Sequence, residues 1–425
     1  MKFRRILAGA TAASAVLALA ACSTGTGAGG AGDEAEAGTV RMWVMEGSLS
    51  EESQQYLADE FAKENPGSEL KIEVQQWDGI VSKLQTALAS KNESPDLVEI
   101  GNTQTTTFTT VGAFADVTDL KDALGGDDLI PSFVDASTVD GKIYAYPFYA
   151  GARGVYYRTD LFEQAGIAVP QTIGEFDEAV AALQQANPEG VADFSGMYLA
   201  AVDVHGVGSY LFSHGFEYAE KDGDKWVGQA SSPASLAALE SLQSTFENGT
   251  TYALDSQAGQ KSFERYFNEG TTGVLIGTGN IGTKIDQALW DDKKVGVIAI
   301  PSDEPGVAGA TFAGGSNIGL ATNSQNPALA KKALETIFAE GFQTRLAEEG
   351  WVPGNTGYAD SVAGPFGEIA GEIITNSKLT PNSPEWGVTF GGAQLSEFFT
   401  RIAKGEDVKA TAKAFDEQLD AALNK

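Results

Sequence analysis

The sequence predicts an α/β fold of two lobes, each a mostly parallel sheet with helices on both faces. Three observations predict it. Residues 39–100 alternate strand and helix patterns in the order β-α-β-α-β, and that order implies parallel strands joined by crossover helices. Strand and helix patterns alternate again after Ile143. The chain of 425 residues is longer than one hydrophobic core usually organises.

The elements follow in order. Lys2, Arg4 and Arg5 precede a small, apolar stretch, so residues 1–21 read as a signal peptide. That stretch ends in Leu19-Ala20-Ala21-Cys22, which resembles the bacterial lipobox. The resemblance implies a lipid on Cys22, the single cysteine of the chain. A lone cysteine excludes an internal disulfide. Residues 22–38 are rich in Gly, Ala, Thr and acid and read as a flexible tether.

Residues 40–45 form the first apolar strand. Ser48 and Glu51 have the spacing of a capping box, and Tyr56, Leu57 and Phe61 continue a helix that Asn65-Pro66-Gly67 stops. Leu70, Ile72 and Val74 alternate as a strand. Asp78 is placed to cap a helix carrying Val81, Leu84 and Leu88, and residues 97–100 make a third strand. Further on, 155–157, 274–276 and 295–300 read as strands, and 173–183, 235–246, 262–267, 329–338, 395–402 and 414–423 as helices.

The formal net charge of −30 argues against nucleic acid as a partner. With two histidines and no cysteine beyond Cys22, a His/Cys zinc site is not expected. No metal and no cofactor are expected, and no second membrane segment is visible. Gly277-Thr278-Gly279-Asn280-Ile281-Gly282 has the G-x-G-x-x-G form, but no acid follows at the spacing a dinucleotide site needs. Its glycines are read as letting backbone approach a ligand, with Asn280 bonding to it. Asp222-Gly223-Asp224 lacks the distal glutamate of a calcium loop and reads as a hairpin turn.

In such sheets ligands bind beyond the carboxyl ends of the strands. Glu46 follows the first strand, Trp77 the second, and Asn102 and Gln104 the third. Amides donate and accept as sugar hydroxyls do, and an indole suits the apolar face of a pyranose. The alternative for these residues is ordinary turn chemistry. Tyr149 and Arg153 are read either as ligand-binding or as braces of a hinge. Trp351 and Trp386 lie in loops, and the stiff loop before Trp386 makes it the expected stacking platform.

Larger patterns then resemble a family. Tyr146-Pro147-Phe148 with residues 154–162, Phe312-Ala313-Gly314-Gly315-Ser316-Asn317, Gly350-Trp351-Val352-Pro353 and Pro381-Asn382-Ser383-Pro384-Glu385-Trp386 are similar, in order and spacing, to family 1 extracellular solute-binding proteins. These are the sugar-binding receptors of bacterial ABC importers, maltose-binding and chitooligosaccharide receptors among them. The resemblance implies a periplasmic-binding-protein fold, no catalysis, and a neutral sugar or oligosaccharide bound between the lobes. It adds Gly315 and Ser316 to the site and an ABC permease to the partners. It implies a monomer on the extracytoplasmic face of the cell membrane, lipid-anchored through Cys22. The implied lobes are 39–147 with 302–350, and 148–301 with 351–425. An exported carbohydrate-active enzyme and a receptor for a non-sugar solute are the alternatives.

Overall fold

A computed structural model describes residues 36–77, 79–256, 263–362, 364–390 and 393–425. The signal peptide, Cys22 and most of the tether lie outside the described residues, as do Asp78 and Ser262.

The chain builds two main sheets. The first has six strands in the order Val352–Pro353, Ala145–Gly151, Gly314–Leu320, Leu97–Gly101, Thr39–Met45, Glu69–Gln75. Thr39–Met45 pairs in parallel with both Glu69–Gln75 and Leu97–Gly101, as the β-α-β-α-β pattern requires. Its crossover helices are Glu51–Glu64 and Ile80–Ala89. Leu57 and Phe61 of the first helix are fully buried with Val40, Val44, Leu334 and Ile337. Each such side chain contributes about 1.5–3 kcal/mol by leaving water. The first helix is capped by Ser50, whose hydroxyl accepts from the Ser53 N–H at 3.1 Å. The capping box expected at Ser48 is therefore displaced, and Ser48 is buried elsewhere. The second helix starts at Gly79 without a side-chain cap.

The second sheet has four strands in the order Val295–Ile298, Arg153–Arg158, Thr272–Thr278, Ser195–Tyr198. Helices Ile173–Ala186, Pro233–Asn248, Ala393–Ala403 and Val408–Leu423 bury Phe176, Leu183, Leu239, Phe399 and Phe415 in its core. The expected mostly parallel sheets are mixed. Thr272–Thr278 is parallel to Ser195–Tyr198 but antiparallel to Arg153–Arg158, and Gly314–Leu320 is antiparallel to both its neighbours. The reason is connectivity: a strand that returns to the first sheet runs opposite to the strand that left it.

The passages between sheets fall later than the sequence suggests. Ala145–Gly151 stays in the first sheet and Arg153–Arg158 lies in the second, so the chain changes sheet at Ala152, not Pro147. The return is at Ala313 rather than Pro301, since Gly314 already pairs with Gly151. Val352–Pro353 still pairs with Ala150 and Tyr149, which puts the third passage beyond Pro353 rather than at Gly350. Pro147 lies inside the strand Ala145–Gly151 rather than at its end. Here it sits where the register with Gly314–Leu320 shifts between Ser316 and Asn317, one of the few places a sheet interior tolerates it.

Asp222 pairs with Lys225 in the expected hairpin. Among the described residues no helix is long and apolar enough to cross a membrane, and no His, Cys, Asp and Glu group suits a metal ion.

Candidate functional site

The strand ends of both sheets open onto one cavity of about 620 Å³. Glu46, Trp77, Asn102, Gln104, Tyr149, Arg153, Asn280, Gly315, Ser316, Trp351 and Trp386 all line it. The eleven come from stretches up to 340 residues apart (386 − 46), and most of them follow a strand or border a passage between sheets, while Trp386 is carried in by the short helix Pro384–Thr389.

Their surroundings differ. Trp77 is 41% exposed and offers an open indole. Trp351 packs on Tyr149 with ring centroids 4.4 Å apart. The Asn102 side chain is buried, and its Nδ2 donates to the Ala313 carbonyl at 2.9 Å, tying the third strand end to the returning chain. Gln104 Oε1 is buried without a hydrogen-bond partner. The Asn280 Oδ1 accepts from the Thr278 hydroxyl.

Two expectations change. Trp386 reaches the cavity wall but is only 1% exposed. Tyr218 packs edge-on at 5.1 Å and Phe390 is tilted against it at 5.2 Å. A stacking platform needs an open face, so the geometry makes Trp386 a core residue and leaves Trp77 as the open indole. Gly279 and Gly282 are packing glycines, whereas Gly277 lines the cavity. A Cβ on Gly279 would lie 2.3 Å from the Gly350 carbonyl oxygen, and one on Gly282 3.2 Å from Cε1 of the Tyr156 ring.

Sequence reasoning left several cavity residues unassigned. His205 stacks on Phe312 at 4.6 Å with the rings 4° from parallel, and its own side chain is open to the cavity. Arg153 lies over the Phe312 ring at 5.7 Å. Surrounding protein, with Arg153 second, holds the His205 pKa well below its ordinary value, so the imidazole is neutral at pH 7. Burial likewise lowers the Arg153 pKa, and Asp203 opposes that. Asp203 also caps the helix Val204–Ser213, accepting from Gly206 N–H at 3.0 Å.

Glu99 was missed altogether. It is fully buried beneath the cavity and bonds to Ser48, Tyr149 and Ser316. Burial raises its pKa against the pull of these donors. Tyr149 is pushed far above the ordinary phenol value, by burial first and by Glu99 second. The signal was a single acid inside the apolar strand Leu97–Gly101. Such an acid is almost never buried without partners.

On the side of the short helix Thr105–Thr109 the two sheets' elements touch. Thr107 Oγ1 donates to the Pro384 carbonyl at 2.7 Å, the Thr106 hydroxyl bonds to Asn382, and a Cβ on Gly387 would lie 3.2 Å from Gln104.

An aromatic and amide-lined cavity between two α/β sheets is the architecture of a solute receptor. The chain belongs to the bacterial extracellular solute-binding protein family, whose model matches residues 56–366. That is a family of binding proteins rather than enzymes. A relative is the diacetylchitobiose binding protein DasA of Streptomyces coelicolor, 30% identical over 392 residues, which cover 91% of this chain and 89% of DasA. The GacH receptor of Streptomyces glaucescens, solved alone and with acarbose, shares the fold with a TM-score of 0.77 at 19% identity, over 92% of this chain and 99% of GacH. The sugar-binding protein MalE of Xanthomonas citri also shares it, with a TM-score of 0.77 at 21% identity, over 91% and 97% of the two chains.

Proposed function

We propose that this protein captures a neutral sugar or oligosaccharide in the cavity and delivers it to the permease of a bacterial ABC importer. The observation that supports this most is the pairing of an open indole, Trp77, with amide and hydroxyl groups around one cavity. Flat apolar faces and fixed hydrogen-bonding groups match the two sides of a pyranose. The family resemblance of DasA, a diacetylchitobiose binder, points the same way.

A thermal-shift series with diacetylchitobiose, maltose and mannitol tests the reading. A true solute at 100 times its Kd raises stability by about 2.7 kcal/mol. No shift with any saccharide, and a shift with amino acids or peptides, would replace sugar by another solute class. For the solute that binds, Trp77→Ala is expected to weaken Kd by about 5- to 150-fold, from lost stacking and lost apolar burial. Its exposure predicts a stability close to the parent. Calorimetric titration beside a urea curve checks both.

The reading includes a lipid anchor on Cys22 that holds the protein, as a monomer, to the extracytoplasmic face of the membrane. Support comes from the lipobox-like quartet 19–22 and from the family's extracellular location. Cys22→Ser is expected to shift the protein from the membrane fraction to the medium. Continued membrane retention of that variant would refute the anchor.

A further inference from the structure

We infer that Arg153 and His205 form a subsite for a planar carbonyl-bearing group of the solute, an acetamido or carboxylate substituent on the sugar. The inference rests on the sugar reading and narrows it to saccharides that carry such a group.

Arg153 opens the strand Arg153–Arg158, next to the passage at Ala152, and His205 lies in the first turn of the helix Val204–Ser213. Both line the cavity and both keep open surface, Arg153 in part and His205 more fully. They share one ring. His205 lies on Phe312 with centroids 4.6 Å apart and planes 4° from parallel, and the Arg153 guanidinium stands 5.7 Å from the Phe312 centroid. Phe312 is 3% exposed and backs one face of the imidazole, so the surface that His205 keeps lies away from it, toward the cavity. Gly314 leaves room for this assembly: a Cβ there would lie 2.8 Å from Cε1 of Phe312 and 3.4 Å from Arg153 Nη1.

A guanidinium has five N–H donors, no acceptor, and a charge it keeps inside proteins. Arg153 spends little of that capacity on its own chain. Among the described residues its side chain makes one hydrogen bond, from Nη1 to the Gly151 carbonyl at a long 3.4 Å. Arg158, at the other end of the same strand, is gripped by both oxygens of Asp160 at 2.8 and 2.7 Å. Asp203 acts on Arg153 only through space, with its Oδ1 held by the Gly206 N–H at 3.0 Å. A cation drawn out of water and so thinly paired is costly until an acceptor reaches it. No lysine and no second arginine among the described residues lines the cavity, so this is where an electron-rich solute oxygen is drawn.

The two groups ask for one kind of partner. A flat π surface takes a flat group, and the planar fork beside it takes oxygens lying in that group's plane. Acetamido and carboxylate groups offer the plane and the oxygen together. A sugar hydroxyl offers an oxygen without a plane, and its own proton finds no acceptor on a guanidinium. His205 is neutral at pH 7, so it meets the solute as a π surface and not as a second cation.

Calorimetric titration with diacetylchitobiose, cellobiouronic acid, cellobiose, maltose and mannitol tests the subsite. The first two carry an acetamido and a carboxylate group; cellobiose keeps the β-1,4 skeleton with hydroxyls alone. The tightest binder is expected among the first two. Diacetylchitobiose ahead assigns an acetamido group, whereas cellobiouronic acid ahead assigns a carboxylate and makes the solute an anion. A hydroxyl-only sugar as the tightest binder overturns the inference and leaves the sugar reading standing. No binding to any of the five removes the sugar reading, and the inference with it.

Arg153→Met keeps the stem and removes the donors. It is expected to weaken Kd for the preferred sugar about 10- to 150-fold, and to shrink its preference over cellobiose by a similar factor. Arg153→Lys, which keeps the charge and loses the fork, should fall between. The urea midpoints of both should stay near the parent's, since the guanidinium makes no close bond to the protein. An equal loss for both sugars would mean that Arg153 braces the passage, and overturns its role as a reader of the solute. His205→Phe keeps a ring and should hold Kd within about threefold, whereas His205→Ala should weaken it about fivefold or more. Equal losses in these two overturn the stacking part of the subsite.

Discussion

Trp386→Ala is expected to lower folding stability by about 3–5 kcal/mol, the usual loss when a buried large aromatic is cut back to a methyl group. The indole is 1% exposed and belongs to the same core as Phe390, Phe398 and Phe415. Phe390 and Phe415 meet edge to face at 5.7 Å, and Phe398 stacks on Phe415 at 4.1 Å. Truncation would open a void at the head of this aromatic row, and tight packing relaxes into such voids only in part. The same indole sits on the short helix Pro384–Thr389, whose first carbonyl accepts from Thr107. Lost packing should therefore loosen that cross-cavity contact too. A urea titration with unchanged slope and a shifted midpoint would register the effect. A stability loss below about 1 kcal/mol, joined to a large loss of sugar affinity, would restore the stacking role the sequence suggested.

Gly315→Ala is the second large effect, with an expected loss of about 2–4 kcal/mol from backbone strain and overpacking together. The φ of +150° is a conformation L side chains rarely adopt. A Cβ there would lie 2.3 Å from the Tyr149 carbonyl oxygen and 2.9 Å from Ala150 Cα, both backbone atoms. Relief requires Gly314–Leu320 to separate from Ala145–Gly151, which carries Ser316 away from Glu99. Sugar affinity should then fall beyond what the unfolded fraction accounts for. Affinity equal to the parent in the folded fraction would mean that the strand absorbs the methyl group without moving Ser316.

The local pattern of the first half was legible because periodicity and crossover order determine it. Thr39–Met45, Glu69–Gln75 and Leu97–Gly101 alternate with the helices Glu51–Glu64 and Ile80–Ala89 as read. The strand-end rule then located Glu46, Trp77, Asn102 and Gln104 without any contact information. Three things were hidden. The passages between sheets carry no break in pattern, since Ala145–Gly151 and Arg153–Arg158 are nearly continuous extended chain. Ser48 looks like a helix cap by spacing, yet its partner is 51 residues away on another strand. Trp386 looked like a loop residue because the helix Pro384–Thr389 is too short to show a period. In each case the deciding contact is long-range, and spacing along the chain does not report it.

The passages at Ala152 and Ala313 have a consequence for how such a receptor changes its preference. Tyr149 and Arg153 flank the first, and Phe312, Gly315 and Ser316 flank the second. Trp351 adjoins the strand that precedes the third. Several of the residues that line the cavity thus belong to the same short segments that join one sheet to the other. Exchanging them to admit a different molecule also alters the mechanical coupling between the halves. Selectivity and rigidity are therefore inherited together here. Exchanges at Trp77, which stands apart from every passage, are the route by which one changes without the other.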